Sequence, residues 1–186
     1  MTEPKLSDFA LIGNCRAAAL VSKHGSIDWC CLPEFHSPSI FAALLDRSRG
    51  GHFSIAPAVV YQSIQKYIPD TNVLETLFTT ADGEVRVTDA FTIMTEEEKA
   101  RCLFPDHEIL RVIEGITGNV KMKVECVPRK FYGKDIPVLK DRKKLGIQFS
   151  WKENIHTLLS TLDPGEIYVD KSQGKVVSEF HVKSNQ

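Results

Sequence analysis

Residues Val21 to Asp46 read VSKHGSIDWCCLPEFHSPSIFAALLD, and the folding of this stretch decides how the rest of the chain is read. His24-Gly25 is a turn signal. The run Ser26-Ile27-Asp28-Trp29-Cys30-Cys31-Leu32 then has the apolar and aromatic content of a strand, and Pro33, which has no N–H to give to a ladder, closes it. The loop Pro33-Glu34-Phe35-His36 follows. At Ser37-Pro38 a hydroxyl stands where it would cap free N–H groups, and a proline stands where its missing N–H costs nothing. A short helix is therefore expected over Ser39–Asp46, with Ile40, Phe41, Leu44 and Leu45 recurring at helical spacing on its core side.

Outward from this unit the chain consists of short apolar runs separated by turn chemistry. Cys15 to Val21 and Ser26 to Leu32 read as a hairpin about Ser22-Lys23-His24-Gly25. Gly50-Gly51 introduces a strand at His52-Phe53-Ser54-Ile55-Ala56, stopped by Pro57, and Val59 to Ile68 reads as extended. Val73 to Thr80 and Glu84 to Ile93 form a second hairpin about Ala81-Asp82-Gly83, with Val85, Val87 and Phe91 alternating with polar neighbours. Thr95 to Ala100 fits one helical turn or a solvated loop. His107 to Glu114 and Asn119 to Val127 read as a third strand pair about Gly115-Ile116-Thr117-Gly118. In it Val120, Met122, Val124 and Cys126 oppose Lys121, Lys123 and Glu125, as in a sheet with one wet side. Leu145 to Trp151, Ile155 to Leu162, Glu166 to Val169 and Val176 to Val182 are further strands. The basic run Lys140-Asp141-Arg142-Lys143-Lys144 reads as a solvated turn. The expected fold is an all-β antiparallel β-sandwich with one short helix, in a single domain over residues 1–186.

Composition limits the function classes. A formal net charge of −1 gives no reason to expect nucleic acid or an anionic membrane as partner. The start MTEPKLSDFALIGN lacks a basic segment followed by an apolar one, and no run approaches the roughly 20 apolar residues of a membrane span, so a soluble cytoplasmic chain is expected. Five cysteines in mostly apolar surroundings suit buried thiols of a reducing compartment. Cys30-Cys31 are adjacent and lack the spacing by which two thiolates converge on zinc, and His24 and His36 read as turn and loop residues, so no metal is expected. No P-loop, dinucleotide glycine pattern or G-x-S-x-G elbow is present, and no cofactor is expected.

The segments ALIGN, AALVSKHGSIDW, CLPEFHSPSIFAALLD, GGHFSIAP, YIPDTNVLETLF, DGEVRVTDAF and HEILRVIEG follow one another between Phe9 and Gly133. In this order they resemble the N-terminal domain of bacterial and archaeal glucoamylase-like and trehalase-like enzymes, glycoside hydrolase family 15. The resemblance implies a super-sandwich of the galactose-mutarotase-like kind, leaning on a downstream (α/α)6 barrel. It also implies that two glutamates of the barrel invert α-glucosidic bonds, with carboxyl groups ~6.5–9.5 Å apart. The helical hairpins of such a barrel are not in this sequence, so this chain is expected to be an accessory domain without a catalytic residue of its own. Where the family commonly has arginine and aspartate in the first loop, this chain has Glu34 and His36, and the later PRFDYG-like segment reads Pro128-Arg129-Lys130-Phe131-Tyr132-Gly133.

The residues singled out are Trp29, Glu34, Phe35 and His36. Trp29 reads as core, with a sugar-stacking face as the other reading. By resemblance, Glu34, Phe35 and His36 belong at a domain interface or the rim of a cleft. Two alternatives remain: a stand-alone carbohydrate-binding or interaction module, and a small mutarotase-like enzyme using Asp28, Glu34 and His36, with His107 and Glu108, as acid and base. A sheet edge left without its completing strand would pair with a second copy, giving a homodimer.

Overall fold

Period-two alternation becomes antiparallel strand almost wherever the sequence carries it. The computed structural model describes residues 5–101, 107–152 and 154–186, so Cys102 and the first four residues lie outside the description. The strands are β1 (Phe9–Gly13), β2 (Ala18–Ser22), β3 (Ser26–Cys31), β4 (Ser39–Phe41), β5 (His52–Pro57), β6 (Tyr61–Tyr67) and β7 (Leu74–Thr80). They continue with β8 (Gly83–Phe91), β9 (Ile109–Val127), β10 (Val138–Asp141), β11 (Ile147–Ser150), β12 (Ile155–Leu158), β13 (Ile167–Asp170) and β14 (Lys175–Lys183). The helix α1 (Glu96–Arg101) starts at a capping box in which Thr95 Oγ1 accepts from the Glu98 N–H and Glu98 Oε2 accepts from the Thr95 N–H. No helix among the described residues is long and apolar enough to cross a membrane.

The main sheet runs β1-β2-β3-β5-β9-β8-β7-β6, with β4 on β3, β14 on β9 and β13 on β14, while β10-β11-β12 form a small separate sheet. The main sheet folds into two layers because β9 belongs to both. Its first half pairs with β8, and its second half lies between β5 and β14. Val120, Met122, Phe180, Val182 and Ile55 of one layer pack on Phe78, Val85 and Val87 of the other. A second cluster joins Ile12, Val21, Ile27 and Cys30 to Leu74 and Phe91, and takes in Leu139, Ile147 and Phe149 of the small sheet. The molecule is therefore an all-β antiparallel sandwich.

Two expectations are corrected. Residues 39–46 do not form a helix. Ser39, Ile40 and Phe41 are all buried, and Phe41 and Ser39 pair with Cys30 and Cys31, so the segment gains more as a strand on β3. A turn then returns the chain, with Ala42 N donating to Gly50 O at 2.8 Å, and Leu45 is 66% exposed, far from a core-facing role. Ser37 serves the preceding loop, its Oγ accepting from the Glu34 N–H at 3.1 Å. The glycines at 115–118 do not close a hairpin either. Residues 109–127 are one continuous strand, bent where Ile116 is left unpaired between Thr117, opposite Glu84, and Gly115, opposite Val85. Gly118 takes φ +72° there, and a Cβ on Gly115 would stand 2.0 Å from the Lys183 carbonyl oxygen. A bend of this kind lets one strand pass from one sheet to the other.

The core rows carry one ion pair. Asp89 continues the row Val85, Val87, Phe91 on β8 and is fully buried; Arg111 lies opposite it on β9 with 2% of its side chain exposed. Arg111 Nε donates to Asp89 Oδ1 at 2.8 Å and Nη2 to Oδ2 at 3.2 Å. The same guanidinium crosses to the other layer, where Nη1 donates to the Phe53 carbonyl at 2.6 Å and Nη2 to the Gly25 carbonyl at 2.7 Å, over the Phe53 ring at 4.8 Å. Gly25 has φ +70°, and a Cβ there would stand 2.2 Å from the Ile55 carbonyl oxygen, so the β2–β3 turn docks only because it carries no side chain.

In the small sheet, His156 lies edge-on to Trp151 at 5.6 Å, and its Nε2 has no hydrogen-bond partner among the described residues. Burial, with the Lys130 ammonium adding, pushes its pKa down from 6.5 to about 4.

Two outcomes are expected from this packing. Asp89→Ala leaves a buried guanidinium without its counter-charge and lowers the unfolding free energy by about 3–5 kcal/mol, whereas Asp89→Leu with Arg111→Met recovers most of the loss, as read by urea denaturation. His156 is neutral when folded, so its contribution is complete above its ordinary 6.5 and is lost as pH falls towards about 4. Stability across that window should drop by roughly 2–3 kcal/mol more in the parent chain than in His156→Asn.

Candidate functional site

The loop after β3 is built by local hydrogen bonds and by one tie to its neighbour. Ser37 N donates to the Glu34 carbonyl at 3.0 Å, closing a tight turn. Phe35 N donates to the Arg16 carbonyl at 2.9 Å, which sets the loop beside the β1–β2 connection. That connection is shaped by Asn14, whose Oδ1 accepts from the N–H groups of Arg16 and Ala17 at 3.2 and 2.9 Å. Between the two loops lies a shallow, open pocket of about 260 Å³ lined by Cys15, Arg16, Glu34, Phe35 and His36.

Three of the four residues singled out from sequence thus share one surface. His36 Nε2 lies 3.3 Å from Glu34 Oε2, with side chains 85% and 50% exposed. Phe35 is 59% exposed. Trp29 does not line the pocket. It is half-buried on β3 and packs against Tyr132 with ring centroids 6.1 Å apart.

Tyr132 belongs to a second loop whose conformation the sequence did not announce. Phe131 and Tyr132 both adopt left-handed backbone, with φ +52° and +59°, a state that costs about 1–3 kcal/mol per residue and persists only where neighbours impose it. Those neighbours are visible. Tyr132 N donates to Ser39 Oγ at 3.1 Å, and Arg129 holds the loop base through the carbonyls of Pro128, Gln173 and Gly174. Tyr132 is left 57% exposed and Phe131 42%. The signal that could have marked this loop is Gly133, at φ +86°, following two large aromatics.

The residues of the acid–base alternative are dispersed. Asp28 is buried, accepts from Ser26 Oγ at 2.5 Å and faces Arg47 Nη1 at 3.5 Å. It does not line the pocket. Glu108 lies at the entry to β9, its main chain paired with Thr92. Glu34 is the one carboxylate among the described pocket residues, whereas glycosidic hydrolysis needs two on opposite sides of the bond. The pocket is open to water, so the Glu34–His36 pair is strongly screened. Cys30 and Cys126 are buried thiols pushed up by desolvation, Cys126 to about 12, and neither is a nucleophile in that state. Among the described residues no group of three His, Cys, Asp or Glu side chains is placed to hold a metal ion.

The sequence model of a family described as "Trehalase-like, N-terminal" matches residues 2–180. A trehalase of Thermoplasma volcanium is 36% identical over 157 residues, covering 82% of this chain and 24% of the relative. A trehalase of Thermoplasma acidophilum is 36% identical over 141 residues, covering 73% and 23%. A trehalase of Mycolicibacterium smegmatis is 30% identical over 136 residues, covering 67% and 20%. No solved structure matches significantly. The chain thus spans about a quarter or less of the length of these relatives. A match over nearly the whole chain, on an antiparallel sandwich, places it in the trehalase-like N-terminal family.

Proposed function

We propose that this chain, as one domain over residues 1–186, is the non-catalytic N-terminal sandwich of a glycoside hydrolase family 15 enzyme of the cytoplasm. The enzyme would act on an α-glucosidic bond, trehalose first, through a helical (α/α)6 barrel that supplies the acid and the base. The observation that carries this reading is the match to trehalases four to five times longer than the matched stretch, which aligns with 24% of one relative and 20% of another. The chemistry of the surface supports it. The pocket offers one carboxylate, open to solvent, and no enclosed space from which water is excluded. What Glu34, Phe35 and His36 can do is meet a neighbour, through a half-exposed ring, a carboxylate and an imidazole on a loop held by its own hydrogen bonds. In the assembled enzyme this loop would line the rim of the cleft.

A second reading, a sugar-binding module, is favoured by the exposure of Phe131 and of Tyr132, which packs on Trp29. The two readings separate by experiment. Incubated with trehalose and with maltose, the isolated chain should release no glucose above a blank, and calorimetric titration with either sugar should show no heat of binding. Turnover by this chain would overturn the accessory role, and saturable binding would transfer the assignment to the module.

A further inference from the structure

β1 is the first strand of the main sheet, so one side of it is an edge. Its sequence, Phe9-Ala10-Leu11-Ile12-Gly13, carries no charge and no proline, the devices that usually keep an edge from accepting another strand. In an antiparallel ladder alternate residues turn their N–H and C=O groups outward. On β1 these are Phe9, Leu11 and Gly13, because both main-chain groups of Leu11 leave the sheet to meet a side chain.

That side chain is Tyr67, at the end of β6. Its hydroxyl accepts from the Leu11 N–H at 2.9 Å and donates to the Leu11 carbonyl at 2.8 Å, so one group occupies both positions an added strand would use. Asn72 Nδ2 donates to the Gly13 carbonyl at 2.7 Å. The Phe9 N–H is turned back onto the Leu6 carbonyl by the short 3-10 turn before the strand. Gln65 Nε2 adds a bond to the Ser22 carbonyl at 3.0 Å, at the end of β2. The contacts of Tyr67, Asn72 and Gln65 all come from the β6–β7 hairpin, and they are made by side chains instead of a ladder.

We propose that Tyr67 and Asn72 form an edge cap that keeps β1 from pairing with β1 of a second copy of this chain. The pairing they block is antiparallel about a two-fold axis at Leu11. Leu11 faces its own mate there as a hydrogen-bonded pair, and Phe9 faces Gly13. Tyr67 is 43% exposed and Leu11 52%, so the cap lies at the surface and can be removed without opening the core. The chain with its cap is monomeric through this edge.

Hydrogen exchange and sedimentation equilibrium test the cap together. In the unaltered chain the Leu11 amide should be protected and this edge should give no dimer. Tyr67→Phe alone should speed exchange at Leu11 by roughly tenfold, while the amides of Val87 and Met122, in the core, keep their rates and show that the fold is intact. Tyr67→Phe with Asn72→Ala should show a concentration-dependent dimer, in which the Leu11 amide regains protection. Adding Leu11→Lys, which sets two ammonium groups face to face across the axis, should return it to monomer. An unprotected Leu11 amide in the unaltered chain, a double variant that stays monomeric at every concentration, or a dimer indifferent to Leu11→Lys would each overturn the proposal.

Discussion

The guanidinium of Arg111 is the point on which the two layers of this sandwich depend. It is buried, and four of its five N–H groups donate to the protein: to a carboxylate on β8, a carbonyl on β5 and the carbonyl of the β2–β3 turn. A buried charge without such partners would cost several kcal/mol. With them, the position of each partner is fixed to within hydrogen-bond tolerance, because a guanidinium fork is planar and its bonds are directional. The pair therefore does more to specify how the layers meet than to stabilise them, and Gly25 can close on Ile55 because it carries no Cβ.

From this junction the surface loops follow. β3 leaves the turn at Gly25, runs past Trp29 and delivers the chain to Pro33, where Phe35 is tied to Arg16. β4 returns along β3 and presents Ser39 to the strained loop at Tyr132. The exposed rings of Phe35, Phe131 and Tyr132 thus come from loops anchored to β3 and β4, whose inner faces are core. A rigid base with exposed aromatic loops supports the proposed role as a surface that meets another domain, and among the described residues the pocket holds one carboxylate where glycosidic cleavage uses two.

Much of the architecture was legible in the sequence, for a physical reason. Rows such as Val85, Val87, Phe91 and Val120, Met122, Cys126 have a period of two that only a half-buried strand satisfies. The failures are as physical. At Ser37–Asp46 local capping chemistry pointed to a helix, but burial of three consecutive residues against β3 outweighed it. At Gly115–Gly118 glycines that ordinarily close a hairpin instead bend one strand between sheets, and no local signal separates the two uses. Asp89 looks like a break in an apolar row, yet its place at the row's period of two is the mark of a buried partner. Of the candidate surface, Glu34, Phe35 and His36 stand out through the family resemblance of the loop that carries them, whereas Tyr132 has only a weak mark, the Gly133 that follows two large aromatics.

The central claim is that one ion pair couples both layers of the sandwich at a single junction. Native-state hydrogen exchange on Asp89→Asn measures that coupling directly. The Ile55 amide donates to the Gly25 carbonyl in one layer, and the Val87 amide lies in the other. The account predicts that both lose protection together and to a similar extent. Loss confined to β8 and β9, with Ile55 unchanged, would contradict it.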